Sequence, residues 1–242
     1  MKWKTAISSY KDGEFYIRGV RLAKLVDDAN LAETIFFILQ GKQASKNQAK
    51  MLEAILISMV EHGIEVPSAF VARSVVSTGN SQNAAIAAGI LAIGDMHGGA
   101  IEKAAFYFQS ADSPQVIVER SIQRKERLPG YGHKVYKTED HRTTALFKKS
   151  QELKLSMKYL NRAREIESEL FRQTGKVLPL NVDGAVAAII SELGFNWRLG
   201  KAFFILGRLP GIIAHVEEEC KNEKSYRRLD SEDVEYVGPT AI

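Results

Sequence analysis

The 242-residue chain is 45% hydrophobic and 26% charged, a balance that is ordinary for a globular protein and excludes disorder over most of its length. Its longest strongly apolar stretch, 84–94, is shorter than the about 20 residues of a membrane-spanning helix, and its single cysteine, Cys220, excludes an internal disulfide. These features predict a soluble cytoplasmic protein. The net charge of +4, from 33 Lys and Arg against 29 Asp and Glu, is compatible with an acidic ligand or with charges that are merely solvated on helix surfaces.

The N-terminal segment carries a hairpin signal. Residues 1–4 are followed by polar residues rather than an apolar core, so we expect no secretion signal. Asp12-Gly13 is typical of a type I′ turn and predicts a hairpin over 8–19. Helical patterns then dominate, and strand patterns are nearly absent between residues 30 and 225. We therefore predict an all-α fold with a short N-terminal β-hairpin.

Helix boundaries in the first half follow from local signals. An apolar helix over 31–40 is expected to stop at Gly41, a residue that favours the position after a helix. Ser45 and Gln48 form a capping-box pattern, which predicts the start of an amphipathic helix that runs to Met59. Two further helices are predicted over 69–77 and 83–93.

The second half is predicted to be helical as well. Ser113 followed by Pro114 is typical of a helix start and predicts a helix through Arg127. A charged helix over 156–173 should end at Gly175. The remaining helices are predicted over 183–193, over 197–206 with Asn196 as its cap, and from Pro210 to Glu219.

Three histidines lie beside glycine near predicted helix ends. They are His62, His97 and His133. Glycine lets the backbone approach a ligand closely, although a single histidine beside a loop is more often a local hydrogen-bond partner. Three such sites together favour a functional interpretation.

Asp183 stands at a predicted loop-to-helix junction and allows two interpretations. It is either the N-cap of the following helix or a general base made more basic by burial in the apolar run that follows. The residues leave both open.

Several arginines could bind an anion. Arg142 follows the glycine-rich loop 130–132 and offers a bidentate fork for a carboxylate. Arg208 interrupts an apolar stretch and is either a snorkelling residue or a buried anion anchor. Arg227 and Arg228, near the end of the chain, would ordinarily be solvated charges.

Other kinds of site have weaker support. No HExxH, paired CxxC, P-loop or GxGxxG motif occurs, so metal and nucleotide fingerprints are missing, and we expect no metal. A basic helical scaffold for nucleic acid is a possible alternative, but the basic stretches contain acids and few aromatics. We therefore expect neither nucleic acid nor a membrane as a partner.

The motifs, taken in order, resemble those of the citrate synthase superfamily from about residue 14 to the end. In its short length the chain resembles the citryl-CoA lyases and the lyase module of the ATP-citrate lyases. At position 97, however, it has a histidine, as the synthases do. The matching segments are Glu61-His62-Gly63, 69–78, His97-Gly98-Gly99-Ala100, Gly130-Tyr131-Gly132-His133-Lys134-Val135-Tyr136 with Arg142, Asn181-Val182-Asp183, Gly207-Arg208 with Ala214-His215, and Tyr236-Val237-Gly238-Pro239.

The resemblance implies a large helical domain, 1–98 and 196–242, with a small helical domain, 99–195, inserted in it. It also implies a homodimer or larger homo-oligomer in which an arginine from the neighbouring subunit completes the site. Arg228 is the expected residue, with Arg227 as the alternative.

The resemblance implies cleavage of citryl-CoA to acetyl-CoA and oxaloacetate, or its reverse, without a cofactor other than the CoA thioester substrate. The alternative is a compact citrate synthase or an enzyme like 2-methylcitrate synthase. The implied catalytic residues are His97, His133 and Asp183; the implied carboxylate-binding residues are His62, Arg142, Arg208, Arg228 and Arg227; and the implied CoA contacts are Gly130, Tyr131 and Gly132.

Overall fold

The computed structural model describes residues 2–133, 136 and 138–239; Lys134 and Val135 of the motif above lie outside the described residues. The described chain is helical apart from a small N-terminal sheet, which confirms the predicted all-α fold class. The strands are β1 (Ser8–Lys11), β2 (Glu14–Ile17) and β3 (Val20–Arg21), and the helices are α1 (Leu22–Asp28), α2 (Leu31–Gln40), α3 (Lys46–Ser58), α4 (Pro67–Ser77), α5 (Gln82–Leu91), α6 (Ala100–Gln109), α7 (Pro114–Gln123), α8 (His141–Glu152), α9 (Lys158–Thr174), α10 (Val182–Glu192) and α11 (Gly200–Asn222), with 3₁₀ turns at Trp197–Leu199 and Ser231–Asp233.

The predicted hairpin is present and gains a third strand. Asp12 and Gly13 both have positive φ, at 52° and 79°, as a type I′ turn requires, and they join β1 to β2 in an antiparallel pair. Strand β3 then pairs with β2, so the sheet has the order β1-β2-β3. The third strand has only two residues, too few to leave a sequence pattern.

Local capping signals predicted helix ends correctly. Ser45 and Gln48 form the reciprocal capping box at the start of α3. Gly41, in the left-handed conformation at φ 73°, ends α2 as predicted, and Gly175 ends α9. Helices α1, α6 and α8 had no prediction of their own.

Two predicted boundaries are wrong. Helix α7 ends at Gln123 rather than Arg127, because Lys125 adopts a left-handed conformation (φ 55°) and the Glu126 N–H donates back to the Ser121 carbonyl at 3.0 Å. The predicted break before Pro210 does not occur, and Pro210 lies inside the 23-residue α11. Proline removes one helical hydrogen bond, yet the helix continues because buried residues on either side hold it in place.

The continuous helix also forms a long apolar segment. Among the described residues, 197–222 is long and apolar enough to cross a membrane by length and composition, a test that the core helix of a soluble protein also meets. The stretch 84–94 is shorter but has no charged residue, whereas this segment includes charges such as Arg208. This helix also carries the buried Arg208.

The first compact unit comprises residues 1–59 and 98–207. Its centre is α10, in which nine of the eleven residues are buried, and which packs against α6, α8 and α9. Phe36, Phe195 and Phe203 form an aromatic cluster beside it, with ring centroids 5.1 and 4.7 Å apart. Burial of a helix on all sides explains why 183–193 is so uniformly apolar.

The second compact unit comprises residues 60–97 and 208–242. Helix α4 packs closely on α5, because Gly89 lacks a Cβ atom that would come within 2.7 Å of the Ser68 carbonyl oxygen. An ion pair between Arg73 and Glu219, with Nε and Oε2 2.7 Å apart, is buried in this unit. The division into a large domain (1–98 and 196–242) and a small domain (99–195) stays a prediction.

Candidate active site

A short antiparallel bridge fixes the glycine-rich loop beside the start of α10. Tyr131 pairs with Leu180. The Gly132 N–H donates to the Pro179 carbonyl at 2.8 Å, and the Asn181 N–H donates to the Gly130 carbonyl at 2.9 Å. The residues that follow each side of this bridge, His133 and Asp183, are thereby carried on one small framework.

Glycine is required where the loop meets α10. A Cβ atom on Gly184 would lie 2.5 Å from the Gly130 carbonyl oxygen, and one on Gly130 would lie 2.9 Å from the Gly184 Cα. Gly130 also has a positive φ of 87°, which other residues rarely adopt. The two glycines allow the loop and the helix to touch through their backbones.

The N-cap of α10 is Asn181, not Asp183. The Asn181 Oδ1 accepts a hydrogen bond from the Gly184 N–H at 3.1 Å, and its Nδ2 donates to the Gly132 carbonyl at 2.8 Å. The interpretation of Asp183 as an N-cap is therefore wrong, because the cap lies two residues earlier. Asp183 is half-buried in the first turn, where helix N–H groups favour a negative charge.

The ring of His133 has a defined orientation. Its Nδ1 accepts the Tyr136 N–H at 3.1 Å. The Nη2 atom of Arg142 lies 3.4 Å from Nε2, and the two side chains are both half-buried. An imidazole, which can carry a proton, and a carboxylate-binding cation therefore lie side by side.

Arg142 is held by Asp140, a residue that the sequence analysis missed. Its Nε and Nη2 donate to the two Asp140 oxygens at 3.0 and 2.8 Å. Burial lowers the pKa of Arg142, but the hydrogen bonds and the charge of Asp140 outweigh burial and hold that pKa above its ordinary value; Asp183 contributes in the same direction. Asp183 therefore lies close enough to Arg142 to act on its charge.

The second unit brings together His97, His62 and Arg208. The His97 Nε2 lies 2.9 Å from the Oγ of the buried Ser68. Burial lowers the pKa of His97, and the nearby charges of Arg208 and His62 lower it further, so the ring is neutral at pH 7. Arg208 is only 2% exposed, so the snorkelling interpretation is wrong and the anion anchor stays a prediction.

The exposed His62 sits on a loop that Glu61 shapes. The Oε1 atom of Glu61 accepts the backbone N–H groups of His62 and Gly63 at 2.8 and 2.6 Å. The His215 Nε2 lies 3.2 Å from the same oxygen, and its Nδ1 lies 3.3 Å from the Arg73 Nη1. The His62 loop is thus tied through His215 to the buried Arg73.

The two C-terminal arginines differ in their surroundings. Arg227 donates through Nε and Nη2 to the buried Glu219 at 2.6 and 2.7 Å, and its backbone N–H donates to the Ser77 Oγ at 3.1 Å. Arg228 is exposed, and its guanidinium makes no ion pair with any residue that the structure describes. Arg227 therefore anchors the C-terminal segment, while Arg228 faces solvent.

A cavity of about 620 Å³ opens beside the glycine-rich loop in the first unit. Its walls include apolar side chains, such as Ile122 and Leu178, and the cations Arg127 and Lys176. The Tyr131 hydroxyl donates to the Ala163 carbonyl at 2.8 Å, and burial raises the pKa of that hydroxyl well above its ordinary value, so it anchors the loop. No group of three His, Cys, Asp or Glu side chains that could hold a metal occurs within the described ranges.

The predicted residues thus form two clusters, each within one unit. His133, Arg142 and Asp183 lie together in the first unit, and His62, His97 and Arg208 in the second. Asn181 could have been recognised as a cap from its type and its position before an apolar helix. The ionic partners had no comparable sequence signal; they are the buried Asp140, Glu219 and Arg73 and the exposed Glu61.

Comparison with known proteins gives three findings. A family model described as "Citrate synthase, C-terminal domain" matches residues 15–229. A solved structure of citryl-CoA lyase from Hydrogenobacter thermophilus is 47% identical, covers 99% of this chain and 96% of its own, and superposes with a TM-score of 0.94. ATP citrate lyase from Methanothrix soehngenii, in complex with citrate and coenzyme A, is 25% identical over 99% of this chain and 42% of its own, with a TM-score of 0.87.

Curated relatives are longer than this chain. Citrate synthase 2 from Bacillus subtilis is 28% identical over 92% of this chain but only 60% of its own length. This chain therefore spans about 60% of that relative.

Proposed function

Because this chain belongs to the citrate synthase family, we propose that it is a citryl-CoA lyase, which cleaves citryl-CoA reversibly to acetyl-CoA and oxaloacetate. One observation carries the proposal above the others. The match to the Hydrogenobacter citryl-CoA lyase extends over nearly the whole of both chains at 47% identity, whereas only 60% of the Bacillus citrate synthase is covered. The chain thus has the length of the cleavage enzyme.

Asp183 and His97 act on the acetyl group in this mechanism. In the condensing direction, the Asp183 carboxylate removes a proton from the methyl group of acetyl-CoA, and His97 donates a hydrogen bond to the thioester oxygen. The lowered pKa of His97 is compatible with this role, because it keeps the ring neutral and a neutral imidazole still has one N–H that can donate to the developing enolate. The half-buried position of Asp183 supports the role of a base.

His133 and the carboxylate-binding residues act on oxaloacetate. The protonated His133 ring polarises the keto oxygen through an N–H and passes that proton to it as the new carbon–carbon bond forms, which leaves the ring neutral. Arg142, fixed by Asp140, offers an oriented cation for one substrate carboxylate. His62, Arg208 and Arg228 complete the proposed set of carboxylate contacts.

Cleavage reverses these steps and conserves every atom. His133 accepts the hydroxyl proton of citryl-CoA, the carbon–carbon bond breaks, and its electron pair forms the enolate of acetyl-CoA, whose oxygen accepts the His97 hydrogen bond, while oxaloacetate regains its keto group. The protonated Asp183 then returns its proton to the enolate carbon. No water enters, which distinguishes cleavage from thioester hydrolysis.

The cavity beside Gly130, Tyr131 and Gly132 is the proposed site of CoA. Its apolar walls suit an adenine ring, and Arg127 and Lys176 suit phosphate groups. Because the Tyr131 hydroxyl donates to the Ala163 carbonyl, we expect the backbone of the loop, rather than this hydroxyl, to contact CoA. This arrangement supports the predicted CoA contacts.

We also propose that the protein forms a homo-oligomer, works in the cytoplasm and requires no cofactor beyond its CoA thioester substrate. The exposed Arg228, presented by the anchored Arg227, suits contact with a partner subunit.

The alternative is a compact citrate synthase, or an enzyme like 2-methylcitrate synthase, which would hydrolyse the thioester. The retained His97 favours that alternative, because the resemblance implies a synthase-like histidine there. The two activities differ in one product, the free CoA thiol.

Product analysis with purified protein tests the proposal. With citryl-CoA we expect oxaloacetate, detected by coupled reduction with NADH, and acetyl-CoA, without release of a free thiol. With acetyl-CoA and oxaloacetate, stoichiometric release of free CoA and citrate would instead establish a synthase. Asp183→Asn is the matched inactive control.

A further inference from the structure

The Asp140 carboxylate is buried and accepts four hydrogen bonds. Its side chain is 0% exposed. The Oδ1 atom accepts the backbone N–H and the Nε–H of Arg142 at 3.1 and 3.0 Å. The Oδ2 atom accepts the Arg142 Nη2–H at 2.8 Å and the Val182 N–H at 3.1 Å. Burial raises the pKa of Asp140, but these partners together hold it below its ordinary value, so the group is ionised.

These bonds join three parts of the first unit. The bond to the Arg142 N–H caps α8, which is an ordinary structural role for aspartate. The two bonds to the Arg142 side chain and the bond to Val182 are not needed for that cap. Val182 is the first residue of α10 and directly precedes Asp183.

Asp140 also sets the charge around His133. The Arg142 Nη2 lies 3.4 Å from the His133 Nε2, so an uncompensated Arg142 would oppose protonation of that ring. The Asp140 carboxylate, paired with the same guanidinium, offsets this effect. Within the described part of the chain, other titratable or charged groups around His133 include Asp183, near Arg142; Tyr136, whose ring is 4.7 Å away; His141, beside Tyr136; and Glu126, Arg127 and Lys176 of the shared cavity.

We propose that Asp140 is a positioning residue, which orients Arg142 for a substrate carboxylate, fixes the turn that carries Asp183 and balances the charge beside His133. Asp140 touches no reacting atom and acts through these neighbours. Its role in turnover rests on the proposed function, whereas its effect on His133 does not require any substrate.

The first test therefore measures the His133 ring by NMR titration in the absence of ligand. In Asp140→Asn the titration midpoint of His133 should fall by about one pH unit or more, because Arg142 is left uncompensated. In Arg142→Gln the midpoint should rise, and in the double variant it should return toward that of the wild type. Unchanged midpoints in both single variants would overturn the proposal. If Asp140→Asn does not fold, the double variant is compared with Arg142→Gln, and equal midpoints in these two would overturn it.

A matched control separates positioning from capping. Ser45 caps α3 as Asp140 caps α8, but it lies on an exposed helix end with no link to the site. Ser45→Ala should lower thermal stability and leave the His133 midpoint and the kinetics unchanged. The same midpoint shift in Ser45→Ala would show a general effect of lost stability and would contradict the proposal.

Kinetics in the condensing direction give the second readout. Asp140→Asn should raise the KM for oxaloacetate about tenfold or more through Arg142, and the same substitution in the Arg142→Gln background should add little to KM. Additive effects on KM would contradict the link through Arg142. If the wild type has no activity with these substrates, the proposed function fails, while the NMR titration still tests Asp140.

Discussion

Asp183 illustrates how a single residue type allowed two interpretations that only geometry could separate. Asparagine at position 181 takes the cap of α10, which leaves the Asp183 carboxylate without a capping role. Its type and position were readable from the sequence. Its proximity to Arg142 was not, because the two residues are 41 positions apart and are brought together by long-range contacts such as the Tyr131–Leu180 bridge and the bond from Val182 to Asp140.

The substitution Asp183→Asn should therefore remove turnover and spare the fold. We expect kcat for citryl-CoA cleavage to fall by about 10²–10⁴-fold, the contribution of a general acid–base group, with an unfolding temperature close to that of the wild type. Coupled oxaloacetate detection and a thermal melt measure the two quantities. By contrast, Asn181→Ala should lower stability by about 1 kcal/mol, because it removes the true cap. If Asp183→Asn retained activity, Asp183 would not be the general base of the mechanism.

His97 should make stability depend on pH near neutrality. Its pKa is lowered in the folded state, so between that value and its ordinary pKa of 6.5 the unfolded chain binds more protons than the folded chain. The stability associated with neutral His97 is complete above about pH 6.5 and is lost as pH falls toward the lowered value. In urea unfolding, the wild type should lose more stability than His97→Gln between about pH 7.5 and 5.5. Parallel losses in the two proteins would refute this assignment.

At the scale of elements, capping signals were accurate and proline was misleading. Ser45, Gly41 and Gly175 act within one turn of the chain, so their effect can be read locally. Pro210 predicts a helix start for the same local reason, yet α11 continues through it. Packing of the residues around it outweighs the lost hydrogen bond, and a local rule cannot include that packing.

Replacing Pro210 by alanine should therefore stabilise the protein. Alanine restores a donor inside α11, and we expect a gain of about 1–2 kcal/mol in the free energy of unfolding, part of the about 3 kcal/mol that proline costs in a helix interior. Pro114 is the matched control because it lies at the first position of α7, where proline is favourable. Chemical denaturation of Pro210→Ala and Pro114→Ala measures both. A loss of stability in Pro210→Ala would mean that the proline is needed for packing.

At the scale of the whole molecule, the buried ionic network of the second unit connects two predicted substrate contacts. Glu219 pairs with both Arg73 and Arg227, the residue before Arg228, and Arg73 also reaches the His62 loop through His215. Asp, Glu and Arg are rarely buried unless they are paired, because burial of a charge costs desolvation free energy. The network lies next to predicted site residues, and holding those residues in place is a reason for a protein to bear this cost.

If Arg228 is supplied by a partner subunit, two inactive variants should restore activity when mixed. Arg228→Ala and Asp183→Asn are each expected to have little activity alone. After the subunits are exchanged, a dimer with one of each has one intact site, so about a quarter of wild-type activity should return in an equal mixture. Light scattering confirms the oligomeric state of each sample. Failure to recover activity in verified mixed oligomers would place Arg228 in its own subunit's site or outside it.

The sequence by itself determined the fold class, most helix starts and the kinds of residue that carry the proposed chemistry, because capping, periodicity and family motifs are local or ordered along the chain. Only the tertiary structure decided that α11 is continuous, that Asp140 pairs with Val182 and that Glu219 pairs with Arg73. These features depend on pairing between residues far apart in sequence and on burial, which strengthens an ion pair and penalises an unpaired charge.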